Sequence, residues 1–277
     1  MYASPMLDLT DHTPLVRTEG LTRTFGAFTA VDGVDLEIAA GEVFALLGPN
    51  GAGKTTTIKM LITLLPPSAG RATVGGYDVV RQASAVRRLL GYVPQALSAD
   101  GMLNGYENLL VFARLYDVPW REQRARVEQA LAFMGLQDAA GRLVRTYSGG
   151  MVRRLEIAQA LIHYPRILFL DEPTIGLDPV ARRAVWEHLA RLRREFGATL
   201  FLTTHYMEEA EHLATRVAVM SQGQIVALGT PAALKAQVPG GAATMEDVFV
   251  YFTGDTLESG GSYRETRALR RTARRLG

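Results

Sequence analysis

The chain contains no cysteine, which excludes disulfides, thiolate nucleophiles and cysteine-held metals and fits a reducing compartment. It lacks any run approaching the roughly 20 consecutive apolar residues that a helix needs to cross a bilayer, so a role at a membrane has to come through a partner. The first residues, 1–14, contain Asp8 and Asp11 and no basic patch followed by an apolar stretch, so no secretory signal is expected there. An excess of charge of one sign is missing too. Thirty Lys and Arg against 28 Asp and Glu leave a formal charge of +2, and no nucleic-acid partner is indicated. Lysine is scarce: only Lys54, Lys59 and Lys235 stand among the 30 basic residues, so a lysine inside a motif carries information.

What is present is 277 residues, 48% of them apolar, enough for one large or two small domains with a sizeable core. Half-buried strands are expected at 15–24 and 31–38, and the continuous apolar run 43–47 predicts a strand buried on both faces. A loop follows at 48–53, then a helix over 55–65 that should stop at Pro66 and Pro67. Strand and turn signals cover 70–80, and a short strand 91–94. Leu109, Phe112, Leu115, Val127, Leu131 and Met134 recur at helical spacing with no strand signal, so 104–145 reads as a helical insert in an α/β core. The α/β pattern then returns. It predicts a helix that follows Ser148-Gly149-Gly150 and runs to about Ile162, a buried strand at 167–170, a helix at 179–195 with Pro179 in its first turn, a strand at 199–203, a helix at 207–214, and a hairpin of 217–220 with 225–228. Beyond Gly229 the core reads as complete. Pro239-Gly240-Gly241 has the character of a linker, 245–252 is apolar enough to pack on something, and 255–277 is polar and Arg-rich.

Two constellations carry chemistry. Gly48-Pro49-Asn50-Gly51-Ala52-Gly53-Lys54-Thr55 is a phosphate-binding loop, with a buried strand before it and a helix after it. Its glycines let backbone N–H groups converge on phosphates, and the helix N-terminus adds a favourable dipole. Lys54 is expected to reach the β and γ phosphates of ATP and Thr55 to ligate Mg²⁺, with Thr56 also counted in the nucleotide site. The second constellation is the pair Asp171-Glu172 at the end of the apolar strand 167–170. Ligands of α/β sheets sit beyond the carboxyl ends of strands. Asp171 is expected to hold Mg²⁺ and Glu172 to orient and activate the attacking water.

In this order the pieces resemble the nucleotide-binding subunits of ABC transporters over about residues 15–229. The resemblance implies an α/β fold: a P-loop NTPase core with a mainly parallel sheet, an antiparallel β subdomain and a helical, signature-bearing subdomain at about 104–160. Residues 1–14 would be an N-terminal extension, 230–254 an accessory segment and 255–277 a tail. Gly91-Tyr92-Val93-Pro94-Gln95 resembles the family's glutamine loop, in which Gln95 touches Mg²⁺ or the attacking water. Tyr147-Ser148-Gly149-Gly150-Met151 resembles the signature, in which Ser148, Gly149 and Gly150 meet the γ-phosphate bound by the opposite copy. Gly176-Leu177-Asp178 resembles the loop that crosses to that copy, and Thr204-His205 the histidine switch at the γ-phosphate. Phe25, with Val31 after it, sits where the family stacks an aromatic on adenine. Taken singly, each has a plainer reading: a surface glutamine, a helix cap, a packed histidine, a core aromatic.

The signature commonly begins with leucine and ends in glutamine, where this chain has Tyr147 and Met151. The Tyr-Ser-Gly-Gly-Met ending, the run from Thr203 to Glu211 and Glu246-Asp247-Val248-Phe249 resemble one branch of the family, the bacterial drug- and antibiotic-export subunits similar to the daunorubicin-resistance ATPase. The resemblance implies ATP hydrolysis coupled to export, ATP and Mg²⁺ as ligands, a second copy in an ATP-sandwich dimer, a separate polytopic permease, and a place on the cytoplasmic face of the cell membrane. It leaves residues 245–252 either stabilising the dimer or packing on their own core, and the Arg-rich tail either solvated or against anionic lipid. A soluble ABC-type ATPase acting on ribosomes or nucleic acid is the alternative, and it would show tandem cassettes or long coiled coils. This chain has one cassette and no heptad run. An importer subunit shares the chemistry but fits the signature and tail less well, and a non-hydrolysing sensor would need a damaged site.

Overall fold

The five residues Val43–Leu47 are apolar at every position and all are buried, because layers cover both faces of their strand. In a computed structural model that describes residues 14–240 and 244–254, the chain runs β1 (Val16–Phe25), β2 (Phe28–Ile38), β3 (Val43–Leu47), α1 (Lys54–Leu61), β4 (Ala69–Val74), β5 (Tyr77–Asp78), α2 (Ala83–Leu89), β6 (Leu90–Val93), α3 (Gly105–Leu115), α4 (Trp120–Phe133), α5 (Gly149–Leu161), β7 (Ile167–Asp171), α6 (Pro179–Phe196), β8 (Thr199–Thr204), α7 (Met207–Leu213), β9 (Arg216–Ser221), β10 (Gln224–Gly229), α8 (Pro231–Gln237) and α9 (Met245–Thr253). Residues 1–13, 241–243 and the tail 255–277 lie outside the described residues, and with them most of the N-terminal extension, one residue of the expected linker and the lipid question.

Two sheets form. One is antiparallel, in the order β2-β1-β4-β5; the other has six strands in the order β10-β9-β3-β8-β7-β6. In the larger sheet β9, β3, β8, β7 and β6 pair in parallel, and only β10 is antiparallel. The side-chain period of two sorts β3 between two cores. Val43, Ala45 and Leu47 enter one with the helical layer, and Phe44 and Leu46 the other with the antiparallel sheet. Across the second face, Phe44, Phe201 and Phe169 stand side by side on β3, β8 and β7, with ring centroids 5.4 and 5.3 Å apart. Such cross-strand aromatic pairs favour one register over its neighbours. The mainly parallel core, antiparallel β subdomain and helical subdomain are therefore all present.

Three boundaries differ from the sequence expectation. Helix α1 ends at Leu61 rather than at the prolines, because Thr63 turns left-handed at φ 68° and Leu64 and Leu65 both donate to the Lys59 carbonyl. Helix α2 was not anticipated; its seven residues bury only Val86, so it carries little hydrophobic period. The core also does not close at Gly229. Leu234 of α8 and Met245, Val248 and Phe249 of α9 are fully buried in the same cluster as the central strands, so 245–252 packs on its own chain. Thr244 caps α9 through a reciprocal box with Asp247. Among the described residues no helix is long and apolar enough to cross a membrane.

Phe249→Ala should cost about 3–5 kcal/mol of stability through the cavity it leaves, read as a lower midpoint in urea unfolding. An unchanged midpoint would show that α9 adds nothing to the core.

Candidate functional site

The loop after β3 is built by close approach. A Cβ at Gly48 would lie 2.4 Å from the Met220 carbonyl oxygen, and one at Gly53, where φ is 108°, would lie 2.4 Å from that of Ala30. Only glycine fits either place. The loop is pinned from outside as well: the Gly48 N–H donates to the Thr204 carbonyl at 3.2 Å and the Gly223 N–H to the Ala52 carbonyl at 3.0 Å. No side chain caps the first turn of α1 among the described residues, so its amides face the loop, an arrangement suited to an anion.

Lys54 is buried and turns its ammonium back under the loop. Its Nζ donates to the carbonyls of Gly48 at 2.8 Å and Pro49 at 3.1 Å and pairs with Glu172 Oε1 at 3.0 Å. The other oxygen, Glu172 Oε2, lies 2.7 Å from His205 Nδ1. Glu172 holds a left-handed backbone, φ 49°, a strain of about 1–3 kcal/mol that persists only where the surroundings enforce it. Its N–H is shared between the Thr203 carbonyl at 3.1 Å and hydroxyl at 3.0 Å. Asp171 Oδ1 accepts from Thr203 Oγ1 at 2.6 Å and Thr55 Oγ1 at 3.1 Å. Burial, with the Asp171 charge adding, pushes the neighbouring Tyr92 hydroxyl up to about 12, so it stays neutral.

A cleft of about 460 Å³ lies over these groups, lined by Phe25, Phe28, Ala30, Pro49 to Thr56, Gln95, Glu172 and Ile175. Phe25 and Phe28 face each other across the β1–β2 turn and are 46% and 62% exposed. The Arg23 guanidinium lies 4.6 Å over the Phe25 ring and donates to the Pro66 carbonyl at 2.8 Å, which covers one face of the ring. Val31, expected at this site, is fully buried beneath the loop and does not line the cleft; Phe28 and Ala30 do. Phe28 had a readable signal, an aromatic on each side of the two-residue turn Gly26-Ala27.

Ser148, Gly149, Gly150 and Asp178 form a separate patch. Ser148 caps α5 by accepting from the Met151 N–H at 3.3 Å, and Asp178 caps α6 by accepting from Val180 and Ala181 at 3.0 and 2.9 Å. The two caps abut: a Cβ on Gly150 would lie 2.8 Å from that of Ala181. Tyr147, the unusual residue before the patch, donates its hydroxyl to the Ala139 carbonyl at 2.7 Å. A Cβ at Gly105 would sit 2.3 Å from that oxygen, so Gly105 is what admits a tyrosine there.

Sequence reasoning missed a layer of polar groups behind the cleft. Glu209, on α7, is fully buried and accepts from Thr174 Oγ1 at 2.8 Å and Trp186 Nε1 at 2.9 Å. Burial pushes its carboxyl up, and the Glu172 charge adds to this. The Tyr206 ring lies 4.2 Å from that of His205, tilted by 39°, and carries the Arg182 guanidinium 4.2 Å over its own face.

A cluster of three or more His, Cys, Asp or Glu that could cage a metal does not occur among the described residues. What does occur is the Thr55 hydroxyl against the Asp171 carboxylate. These hard oxygen donors suit Mg²⁺, which keeps waters and phosphates as its remaining ligands.

The chain is similar to known proteins over most of its length. The ABC transporter family profile matches residues 31–175. The chain is 46% identical to the daunorubicin/doxorubicin resistance ATP-binding protein DrrA of Streptomyces peucetius over 229 residues, 83% of this chain and 69% of that protein. It is 38% identical to the linearmycin resistance ATP-binding protein LnrL of Bacillus subtilis, covering 82% of this chain and 72% of that one. The solved structure of an ATP binding subunit of an ABC transporter superposes with a TM-score of 0.76 at 28% identity, over 86% of this chain and 99% of that one.

Gly53→Ala would force a side chain into a left-handed turn against the Ala30 carbonyl. At about 1–3 kcal/mol of strain, a fluorescent ATP analogue should bind roughly ten- to a hundredfold more weakly. Unchanged affinity in a titration would show that the loop tolerates the shift.

Proposed function

The chain belongs to the ABC transporter family, and on that premise we propose that it is the ATP-binding and ATP-hydrolysing subunit that energises export of a drug, antibiotic or other small amphipathic molecule through a separate membrane permease. The observation that carries the reading is the line Lys54–Glu172–His205 at the foot of a cleft floored by the glycine loop. The similar proteins from Streptomyces peucetius and Bacillus subtilis are resistance ATP-binding proteins, which supports export.

In this reading the loop amides and Lys54 bind the β and γ phosphates, and Phe25 with Phe28 takes the adenine on the ring face that Arg23 leaves open. The phosphates offer the Lys54 ammonium a second anionic partner. Their entry would draw it from Glu172 Oε1 and leave that oxygen to accept a proton from the attacking water. His205 holds the other oxygen and reaches toward the γ-phosphate, while Gln95 orients the water through its amide. Thr55 and Asp171, with Gln95 nearby, are the side chains that would hold Mg²⁺, which when bound neutralises phosphate charge. The exposed Ser148, Gly149 and Asp178, with Gly150 behind them, complete the nucleotide site of a second copy. The permease docks near Gln95 and residues 96–108, which puts the subunit on the cytoplasmic face of the membrane.

Purification of the tagged chain from gently solubilised native membranes should recover a stoichiometric polytopic membrane protein. Recovery with ribosomal or nucleic-acid partners alone would overturn the transport reading and leave the ATPase chemistry standing.

Glu172→Gln should lower kcat about 10²- to 10⁴-fold while trapping an ATP-bound dimer on size-exclusion chromatography, and Lys54→Ala should abolish tight ATP binding. Full turnover by the glutamine variant would remove Glu172 from its role.

A further inference from the structure

The segment that carries Gln95 is exposed from Gln95 to Ser98, yet its backbone is held from below by side chains of α5. Arg153 and Glu156 of α5 are 1% and 2% exposed. Arg153 Nη1 donates to the Pro94 carbonyl and Nη2 to the Gln95 carbonyl, both at 2.7 Å. Nη1 also pairs with Glu156 Oε2 at 3.0 Å. Glu156 Oε1 accepts from the Ser98 N–H, from the Ser98 hydroxyl at 3.2 Å and from the Ala99 N–H at 3.3 Å. The bracket continues one turn along the helix. Gln159 donates to Asn108 Oδ1 at 3.2 Å, and Asn108 exchanges bonds of 3.0 and 2.9 Å with the Asp100 backbone. Residues 94 to 100 are thus fastened mainly by their main chain, with the Ser98 hydroxyl the one side chain added, to a buried polar network on α5 and α3.

Core stability alone is a poor account of this network. A buried ion pair can often be exchanged for well-packed apolar residues at no loss. What it supplies that apolar packing cannot is direction, since the planar guanidinium fixes two successive carbonyls in one orientation. The Arg153 Nε–H finds no partner among the described residues, so the group is placed for the loop rather than for its own saturation. The clamp sits on the same rigid helix as the Ser148 cap, five residues and about 7.5 Å further along.

We propose that Arg153 and Glu156 are positioning residues for ATP turnover: they aim Gln95 at the cleft by holding the main chain of residues 94–99, and they make that loop and the Ser148 end of α5 move as one body. The inference rests on the function proposed above and assigns the part of the fold that regulates Gln95.

The test is steady-state MgATP turnover by the full chain with its co-purified membrane partner, in four forms: unaltered, Arg153→Lys, Gln95→Ala and the double variant. Lysine keeps the charge but cannot reach two carbonyls at once. Arg153→Lys should lower kcat about tenfold and change KM for ATP less than twofold, since the phosphate loop is untouched. In the Gln95→Ala background the same substitution should lower kcat less than twofold further, because the side chain being aimed is already gone. Should Arg153→Lys not fold, the Glu156 pair decides. Glu156→Gln keeps an acceptor for the Ser98 and Ala99 amides and should retain more than half of kcat, while Glu156→Ala should lose about tenfold.

Wild-type kcat in Arg153→Lys overturns the proposal, as do equal losses in both Gln95 backgrounds or Glu156→Gln as slow as Glu156→Ala. Absence of turnover in the unaltered complex overturns the proposed function and this inference together. Turnover that responds to Gln95→Ala but not to Arg153→Lys overturns this inference alone.

Discussion

Lys54 and Glu172 face each other at 3.0 Å, 6% and 4% exposed, and much of the site's order follows from making that burial tolerable. Taking each ion out of water costs several kcal/mol, which mutual attraction offsets only when further hydrogen bonds satisfy what remains. Lys54 obtains them from the carbonyls of Gly48 and Pro49, which is possible only if the loop folds back over its own lysine. Glu172 obtains its second partner from His205, which is possible only if β7 and β8 end level. They do: Asp171 stands opposite Thr203 in the parallel register, and Thr203 holds both the Asp171 carboxylate and the Glu172 N–H. The left-handed backbone of Glu172 is the strain that remains when three fixed elements converge on one carboxylate.

This constraint explains why so much of the centre was legible. A loop that must turn back on itself beneath two carbonyls has to place glycine where a Cβ would strike backbone, so Gly48 and Gly53 are visible as letters. Central strands covered on both faces must be apolar throughout, so 43–47 and 167–170 could be placed to within a residue. The phosphate loop and the acidic pair then follow the strands, because each strand end is where the sheet stops covering the chain. The aromatic turn was half legible. Phe25 is where it was expected, but its companion in the cleft is Phe28, since the pairing of Phe25 with Phe28 sets both at the tip while Val31 has already turned into the core.

The rest was hidden for two physical reasons. Short elements such as α2 bury a single residue, which leaves no period to read. Buried polar groups are invisible in principle, because Arg153, Glu156, Gln159, Glu209 and Thr203 look like surface letters until the fold decides what covers them. Each is found only through its partners, and those are distant in sequence: Arg153 lies 59 residues from the Pro94 carbonyl, and Trp186 lies 23 from Glu209. The misjudged end of the core has the same origin. Residues 245–252 are apolar enough to pack on something, but the partner is distant in sequence and cannot be read from the segment; Leu234 and Phe249 fill space beside the central sheet.

The strand order sets a division of labour that no single loop reveals. The strands β3, β8, β7 and β6 are neighbours in parallel, and their carboxyl ends deliver Gly48, His205, Glu172 and Gln95 to one edge, the edge where ligands of open α/β sheets collect. Strand β9 and the turn after it add support from the side, through the close approach of Met220 to Gly48 and the bond from Gly223 to Ala52. Ser148 and Asp178 do not belong to this edge. They cap helices and face solvent, Ser148 accepting from the Met151 N–H and Asp178 from the Val180 and Ala181 N–H groups. In the reading proposed above, those caps meet the phosphate bound by a second copy. The cleft of one chain and the caps of another would then be the two halves of one site. The clamp on residues 94–99 would be the rigid connection, within each chain, between the half that holds nucleotide and the half that is offered to its partner.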